Sequence, residues 1–260
     1  MRENQAAYNS EAVIGQYRQM HDLQRPERAI IKETEERLRA CRLLDIGVGA
    51  GRTTPHFGRD AAYYLGIDSA PQMIQACTEN DHYQRDTYHF RVMDAVNMLE
   101  LDEAPFDYAL FSYNGIDLVD DSERRIIFNN LKKMLKHDGC LVFSSHNILS
   151  LNDLFCIHRY DTSMSLLRNI YWLLKERYYR RLFEQQHPPW PPDIDFKLIH
   201  DGSINFKTIT YYIRPSFQIR QLQEHGFHSI RAFSISGAEI MLKDLDLITD
   251  PWVYFLCFNA

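Results

Sequence analysis

Residues 43–54 read Leu-Leu-Asp-Ile-Gly-Val-Gly-Ala-Gly-Arg-Thr-Thr, and this stretch decides the fold. An apolar run precedes three glycines at alternate positions, Gly47, Gly49 and Gly51, and residues that can begin a helix follow them. The pattern predicts a strand, a tight turn and a helix. Glycine can adopt positive φ and lets a ligand approach the backbone, and a helix N-terminus favours an anionic group. We therefore expect a ligand-binding loop here, with a close-packed structural turn as the alternative.

The chain has 260 residues, 45% hydrophobic and 25% charged, so it can form one large α/β domain or a core with a small appendage. Its formal net charge of −6 argues against a general nucleic-acid surface, although it is compatible with a local basic patch. Five scattered cysteines, none in a C-x-x-C pair, indicate neither a disulfide framework nor a metal site. Because no apolar run suits a signal peptide or a membrane span, we expect a cytoplasmic protein without a membrane partner.

The spacing of the glycines argues against one class of cofactor loop. The fingerprint of nicotinamide and flavin enzymes, G-x-G-x-x-G, would need glycine at position 52 if it began at Gly47, and Arg52 stands there. The observed pattern, D-x-G-x-G-x-G from Asp45, resembles the first motif of the class I methyltransferases that use S-adenosylmethionine. The resemblance implies that the loop wraps the methionine part of this cofactor and that Asp45 helps to hold its ammonium group.

The predicted second strand, Ala62–Asp68, ends in an acidic residue roughly 20 residues beyond the glycine loop. A carboxylate at this place is suited to accept hydrogen bonds from both hydroxyls of a ribose. Ser69 follows it, and Pro71 fits the first turn of the next helix. That helix places Met73 where it can touch the adenine. We therefore assign Asp68, Ser69 and Met73 to the cofactor site.

The predicted third strand, Tyr88–Asp94, also ends in an acidic residue. The resemblance to the methyltransferases implies that Asp94 contacts the amino group of the adenine and that Ala95 offers its backbone N–H. The alternative for Asp94 is a helix or turn cap.

A crevice is expected where the fourth strand, Phe106–Ser112, and the fifth, Cys140–Ser145, end. We assign Ser112 and Tyr113 to the cofactor and regard Asn114 as a further candidate. The candidate catalytic residues are Asp117, His146, Asn147 and Tyr211. The pair His146 and Asn147 resembles a histidine and an asparagine of small-molecule amine methyltransferases such as the glycine N-methyltransferase group. The alternatives are a structural hydrogen bond for His146 and the N-cap of the following helix for Asp117.

Apolar periodicity predicts the later elements of the core. They are a helix over 121–136 closed by Gly139, a strand over 205–213, a helix from Arg214 that Gly226 caps, and strands over 227–235 and 252–258. Because helices run antiparallel to the strands in such a fold, Tyr211, Tyr212 and Arg214 are expected near the crevice.

Two segments lie outside this core. Residues 1–40 predict two helices that form an N-terminal cap, in which Tyr8 and Tyr17 either lie over the cofactor or pack against the core. Residues 148–209 are an insertion, interpreted as a lid or substrate subdomain. It contains a long predicted helix, Met164–Phe183, and a Pro-rich run at 187–192 that is either a structural elbow or a polyproline ligand.

The insertion also carries a basic cluster, Lys175, Arg177, Arg180 and Arg181. A solvated helix face is the default interpretation of this cluster, and a contact with an anionic substrate or RNA is the alternative.

The resemblance to the class I methyltransferases covers about residues 40–145 and 210–260. It implies a Rossmann-like, doubly wound sheet of seven strands with the last strand antiparallel, in which 41–147 and 210–260 form the cofactor-binding core. The expected activity is methyl transfer from S-adenosylmethionine to a nitrogen or oxygen of a small molecule, in a monomer or an oligomer. The alternatives are cyclisation or aminocarboxypropyl transfer from the same cofactor, and a non-catalytic binding module.

Overall fold

A computed structural model describes residues 4, 8, 10–153, 165–186, 193–200 and 208–260. Ten strands in these residues form one sheet. They are β1 Arg42–Ile46, β2 Tyr63–Asp68, β3 Tyr88–Val92, β4 Phe106–Phe111, β5 Leu135–Asn147, β6 Phe196–Ile199, β7 Thr210–Ile213, β8 Phe227–Phe233, β9 Glu239–Ile240 and β10 Trp252–Asn259.

Eight α-helices occur in the same described residues. They are α1 Glu11–Arg18, α2 Arg25–Glu33, α3 Glu35–Leu38, α4 Thr54–Phe57, α5 Pro71–Thr78, α6 Asp121–Met134, α7 Leu166–Gln186 and α8 Pro215–Glu224. Short 3₁₀ helices connect several strands, among them Ala95–Leu101 and Gly115–Leu118.

Seven strands form the centre of the sheet in the order β3-β2-β1-β4-β5-β10-β8. The strand β10 is antiparallel to both of its neighbours, as predicted, and the pairs among β1 to β5 are parallel. The predicted count of seven strands is therefore too low for the whole sheet. Of the three additional strands, β6 and β9 have four and two residues, which is too short for a detectable alternation of side chains.

Alternate residues of β1 point to opposite faces of the sheet, and each face has its own apolar core. Leu44 lies in one cluster with Leu131 of α6, whereas Leu43 lies in the other with Ile30 of α2. Helices thus cover both faces, which confirms the doubly wound α/β fold.

The junction between α6 and β5 differs from the prediction. The helix ends at Met134, and β5 begins at Leu135, which pairs with Phe106 of β4. The left-handed residue of the turn is Asp138, with φ 59°, and not Gly139. The prediction of a glycine cap was wrong because Leu135 already pairs with β4, and residues 136–139 form a turn at a register shift before the pairing resumes at Cys140. Such pairing is invisible in the local sequence.

The insertion contributes α7 and β6 to the described structure. Phe183 of α7 and Ile199 of β6 pack with Tyr212 of β7, and β7 in turn pairs with the end of β5. The predicted elbow at 187–192 and the start of the predicted strand at 205–207 lie outside the described residues. Within the part of the chain that is described, no helix has the length and apolar character needed to cross a membrane.

Candidate functional site

A cavity of about 730 Å³ lies at the carboxyl ends of the parallel strands. Its lining comes from α1 and from the segments that follow β1, β2, β3, β4 and β5. Side chains separated widely in sequence meet here because parallel strands all end at the same edge of the sheet. This is the edge at which open α/β sheets bind ligands.

The glycine loop forms one wall of the cavity. Gly47 and Gly49 line it with φ of 65° and 56°, a conformation that glycine adopts without steric cost. The Gly49 N–H donates a hydrogen bond of 3.0 Å to Asp68 Oδ2. Gly51 lies outside the lining; its φ is 88°, and a Cβ there would overlap the ring of Tyr83. Gly51 is therefore placed where it allows close packing behind the loop.

Asp68 presents a partly buried carboxylate to the cavity. Its two oxygens accept backbone N–H groups of Gly49 at 3.0 Å and Ala70 at 2.9 Å. Burial raises the pKa of this carboxyl, and these two hydrogen bonds oppose the rise. Ser69 and the buried Met73 line the same part of the cavity.

Asp94 has the capping role that the sequence left open as an alternative, and its contact with an adenine stays a prediction. Its Oδ1 accepts the Val96 N–H at 2.9 Å, so it caps the 3₁₀ helix Ala95–Leu101. Asp94 and Ala95 also line the cavity, on the wall that follows β3.

Asp45 lies behind the glycine loop and outside the cavity lining, with 1% of its surface exposed. Its Oδ2 accepts hydrogen bonds from the hydroxyls of Thr53 and Tyr64, both at 2.6 Å. Burial raises the pKa of Asp45 to about 6, against the effect of these two donors. The carboxylate is therefore placed to fix the loop, while its contact with the ammonium of a cofactor stays a prediction.

Ser112 lies at the cavity, but its hydroxyl belongs to a buried polar network that the sequence did not reveal. It contacts Glu27, Arg52 at 3.3 Å and Tyr254 at 3.1 Å. Glu27 and Arg52 form a bidentate ion pair, with both N···O distances 2.6 Å. Burial opposes ionisation of Glu27, yet Arg52 holds the pKa of this carboxyl below its usual value. Arg52, which stands where a dinucleotide loop would have glycine, was the available signal for this network.

Three tyrosines that line the cavity meet edge to face. The ring centroids of Tyr8 and Tyr17 are 6.1 Å apart, and those of Tyr17 and Tyr113 are 6.5 Å apart. All three residues line the cavity, and burial raises the pKa of Tyr17 far above its usual value, so its hydroxyl stays protonated. The N-terminal helix α1 thus brings aromatic rings to the site.

His146 lines the cavity, and the buried Asp117 lies directly behind it. Asp117 Oδ2 accepts the backbone N–H of His146 at 2.6 Å and lies 2.8 Å from His146 Nδ1. Its Oδ1 pairs with the fully buried Arg124 at 2.7 Å. Because Asp117 Oδ2 lies 2.8 Å from Nδ1 and also accepts the His146 backbone N–H, the ring donates to it through Nδ1–H, and Nε2 is the ring nitrogen turned to Asn114. The alternative role of Asp117 as a helix N-cap is wrong, since Asp120 caps α6.

The other two catalytic candidates lie outside the cavity lining. The Asn147 amide nitrogen donates to the carbonyls of Ile248 at 2.8 Å and Asp250 at 3.0 Å. The hydroxyl of the buried Tyr211 donates to Asp121 at 2.7 Å. Asn147 thus ties the end of β5 to the segment before β10, and Tyr211 ties β7 to the start of α6.

Several lining residues carry no signal in the sequence. Asn4 closes one side of the cavity because its amide nitrogen donates to Leu118 O at 2.7 Å and Ile209 O at 2.8 Å. Trp252, Thr210 and Met93 also line the cavity. No described residue of the insertion 148–209 lines it, so the role of that segment as a lid stays a prediction.

Comparisons with known proteins agree with this geometry. Residues 43–139 match a family described as "Methyltransferase domain". Over 118 residues the chain is 27% identical to a protein of Geobacillus sp. (strain WCH70) that is named as a methyltransferase. The match covers 45% of this chain and 47% of that protein, so the chain spans about half the length of the curated relative it matches.

Similar solved structures extend the likeness over most of the chain. An S-adenosylmethionine-dependent methyltransferase from Clostridium acetobutylicum has a TM-score of 0.61 at 12% identity and 91% coverage of both chains. The N-methyltransferase NodS from Bradyrhizobium japonicum, in complex with S-adenosyl-L-homocysteine, has a TM-score of 0.52 at 14% identity, with 91% of this chain and 86% of that chain covered. Magnesium protoporphyrin IX methyltransferase from Synechocystis PCC 6803 has a TM-score of 0.53 at 11% identity, with 90% of this chain and 81% of that chain covered. The predicted resemblance to class I methyltransferases is confirmed in the fold and in the matched segment.

Proposed function

We propose that this chain is an S-adenosylmethionine-dependent methyltransferase that acts on a nitrogen or oxygen of a small molecule. One observation carries the proposal: the glycine loop, Asp68 and Asp94 follow three neighbouring strands and line one cavity with His146. The match of residues 43–139 to a methyltransferase family supports it.

The residues of the cavity fit the cofactor. Its volume of about 730 Å³ lies within the range of small-molecule sites, roughly 300–1,000 Å³. Gly49 lines the cavity, and a Cβ there would come within 3.2 Å of the Tyr17 ring, so the glycine lets this ring pack directly on the loop. Asp68 has acceptor capacity beyond its two backbone donors, and a ribose diol supplies two more donors.

When bound, S-adenosylmethionine supplies a methyl group on a sulfonium and retains the electron pair of the broken C–S bond. The chain supplies position and orientation. Asp68 would hold the ribose, and Asp94 and Ala95 would hold the adenine. Tyr17 and Tyr113 would exclude water from the mouth of the cavity. Such alignment of two reactants contributes ~7–11 kcal/mol to catalysis.

The similar structures support a small acceptor. NodS is an N-methyltransferase, and the Synechocystis protein acts on magnesium protoporphyrin IX. A cytoplasmic location is part of the proposal, since the four described cysteines are free thiols, as expected in a reducing compartment.

Calorimetric titration with S-adenosylhomocysteine tests the cofactor assignment. Two hydrogen bonds to a charged carboxylate contribute about 1.5–3 kcal/mol each, so Asp68→Ala should weaken binding at least ~100-fold. Asp60→Ala is the matched control, because this aspartate, with 46% of its side chain exposed, precedes β2 at the opposite edge of the sheet. Unchanged affinity in Asp68→Ala would contradict the ribose assignment.

Product analysis distinguishes methyl transfer from its alternatives. With labelled S-adenosylmethionine we expect S-adenosylhomocysteine to form only when an acceptor is present. Release of methylthioadenosine without an acceptor would instead indicate cyclisation, and its release only with an acceptor would indicate aminocarboxypropyl transfer. Binding without turnover across a broad acceptor screen would favour a non-catalytic module.

A further inference from the structure

The turn after β4 holds a strained residue at the cavity. Tyr113 and Asn114 are consecutive residues in the left-handed region, with φ of 54° and 60°. Asparagine adopts this conformation readily, whereas tyrosine does so at a cost, so the surrounding structure must hold Tyr113 there. Tyr113 is 41% exposed and lines the cavity, and its ring meets the Tyr17 ring edge to face. The turn therefore decides where an aromatic ring stands in the cavity wall.

A buried polar network fixes the residue before Tyr113. The Ser112 hydroxyl contacts Glu27, and it lies 3.3 Å from the guanidinium of Arg52. The same guanidinium, paired with Glu27, lies 5.2 Å from the centroid of the Tyr113 ring. On the Ser112 side, both the backbone and the ring of Tyr113 thus have a fixed neighbour.

Asn114 fixes the other side of Tyr113 through its backbone and its amide. Its N–H donates to Ser144 Oγ at 2.8 Å, and its carbonyl accepts the Asp117 N–H at 3.0 Å. Its Nδ2 lies 3.2 Å from His146 Nε2, whereas Oδ1 is buried and has no hydrogen-bond partner among the described residues. The amide of this residue, which is 9% exposed, is therefore held through its contact with His146.

His146 is oriented to accept this hydrogen bond. Asp117 Oδ2 accepts the His146 backbone N–H at 2.6 Å and lies 2.8 Å from Nδ1, so the ring donates to it through Nδ1–H. A neutral ring with its proton on Nδ1 has its acceptor lone pair on Nε2, the nitrogen that faces Asn114 Nδ2. Arg124 at 2.7 Å and Ser145 at 2.6 Å hold Asp117 in turn. The lone pair that a general base would use is thus already bonded to the Asn114 amide.

We infer that His146 is a positioning residue: through Asn114 it holds the left-handed turn that sets the Tyr113 ring against the cofactor. The inference rests on the proposed function, because it takes S-adenosylmethionine as the ligand that Tyr113 contacts. Residue 146 must supply a hydrogen-bond acceptor, and basicity is not needed. Without that acceptor the buried Asn114 amide loses its partner and the strained turn can relax, so that ligand binding has to restore it.

Two variants of His146 separate an acceptor from a base. In His146→Gln, Oε1 can take the place of Nε2 as an acceptor, although the side chain cannot take up a proton; His146→Ala removes the acceptor. In calorimetric titrations of the full chain with S-adenosylhomocysteine, we expect His146→Ala to weaken binding ~5- to 30-fold and His146→Gln to stay within ~3-fold of the wild type. Equal losses in both variants would overturn the inference. Unchanged affinity in both, as for a residue that acts only as a base, would also overturn it.

His225→Ala is the matched control for the loss of a half-buried histidine. Its Nδ1 bonds to Gln221 O at 2.7 Å at the end of α8, outside the cavity lining. We expect this variant to bind S-adenosylhomocysteine as the wild type does. A loss as large as that of His146→Ala would show that the effect is not specific to the turn and would overturn the inference.

A double-variant cycle tests whether His146 acts through Asn114. Asn114→Gly keeps the left-handed backbone and removes the amide, so adding His146→Ala to it should weaken S-adenosylhomocysteine binding by less than ~2-fold more. Tyr113→Ala removes the ring itself and should weaken binding at least as much as His146→Ala. A full additional loss in the double variant, or unchanged affinity in Tyr113→Ala, would contradict the inference.

The wild type distinguishes the two levels of the argument. If it did not bind S-adenosylhomocysteine, the proposed function would be wrong, and the inference with it. If it binds the ligand while the variants depart from the expected pattern, only the role assigned to His146 is wrong.

Discussion

Arg124 can be replaced with methionine to test how Asp117 is held behind His146. Its guanidinium is fully buried and pairs with the equally buried Asp117 at 2.7 Å. It also donates to Ile116 O at 3.2 Å and Ser145 Oγ at 3.0 Å. Methionine fills much of the same volume without charge, so the substitution leaves Asp117 as a buried carboxylate without its cationic partner.

The expected loss of stability follows from the burial of the pair Asp117 and Arg124. Breaking a buried ion pair by removing one partner costs about 3–5 kcal/mol, because the remaining charge is uncompensated. For a chain of this size each kcal/mol lowers Tm by roughly 2–4 °C, so Arg124→Met should lower Tm by roughly 6–20 °C. Arg125 is the matched control on the same helix: it pairs with Asp121 while 40% exposed, and Arg125→Met should cost less than about 1 kcal/mol.

Urea denaturation and thermal unfolding of the two variants provide the measurement. The double variant Asp117→Asn, Arg124→Met removes both charges and should recover most of the loss, because no unpaired charge then stays buried. If Arg124→Met were as stable as Arg125→Met, the idea that the buried pair with Arg124 holds Asp117 in place behind His146 would have to be abandoned.

Two further predictions concern the glycine loop. The folded-state pKa of Asp45 is raised to about 6, so its contribution to stability is complete below the unfolded pKa and is lost as pH rises through about 6. In urea titrations the stability of Asp45→Asn relative to the wild type should therefore rise by about 2 kcal/mol between pH 4 and pH 7; a constant difference would contradict the assignment. Gly51→Ala should lower the free energy of unfolding by about 2 kcal/mol or more, because φ is 88° and a Cβ would overlap Tyr83. Gly15→Ala is the control: nothing lies within 4 Å of its Cβ position in α1, so it should be neutral or stabilising by about 0.5–1 kcal/mol, and equal losses in both variants would count against the argument.

Two features of the sequence predicted the fold: the spacing of the glycines, and the acidic residues that end the second and third predicted strands. These signals are local: an apolar run, a turn residue and a polar residue at a strand end stand within a few positions of one another. Topology then brings Gly49, Asp68 and Asp94 to one edge, because parallel strands end together. The sequence did not reveal the short strand β6, whose four residues depend on pairing with β7 for their conformation.

Side-chain partners within the site were decided by the tertiary structure. Asp45 precedes the glycine loop in sequence, yet its carboxylate lies behind it with Thr53 and Tyr64. Asn114 and His146 are 3.2 Å apart across 32 residues of chain.

Sequence alone therefore determined the fold class and the position of the glycine loop, because backbone preferences and hydrophobic periodicity are encoded over a few neighbouring residues. Only the tertiary structure decided which polar groups face the cavity and which are used in packing. Hydrogen bonds and burial depend on neighbours distant in sequence, and their geometry is fixed when the strands and helices pack.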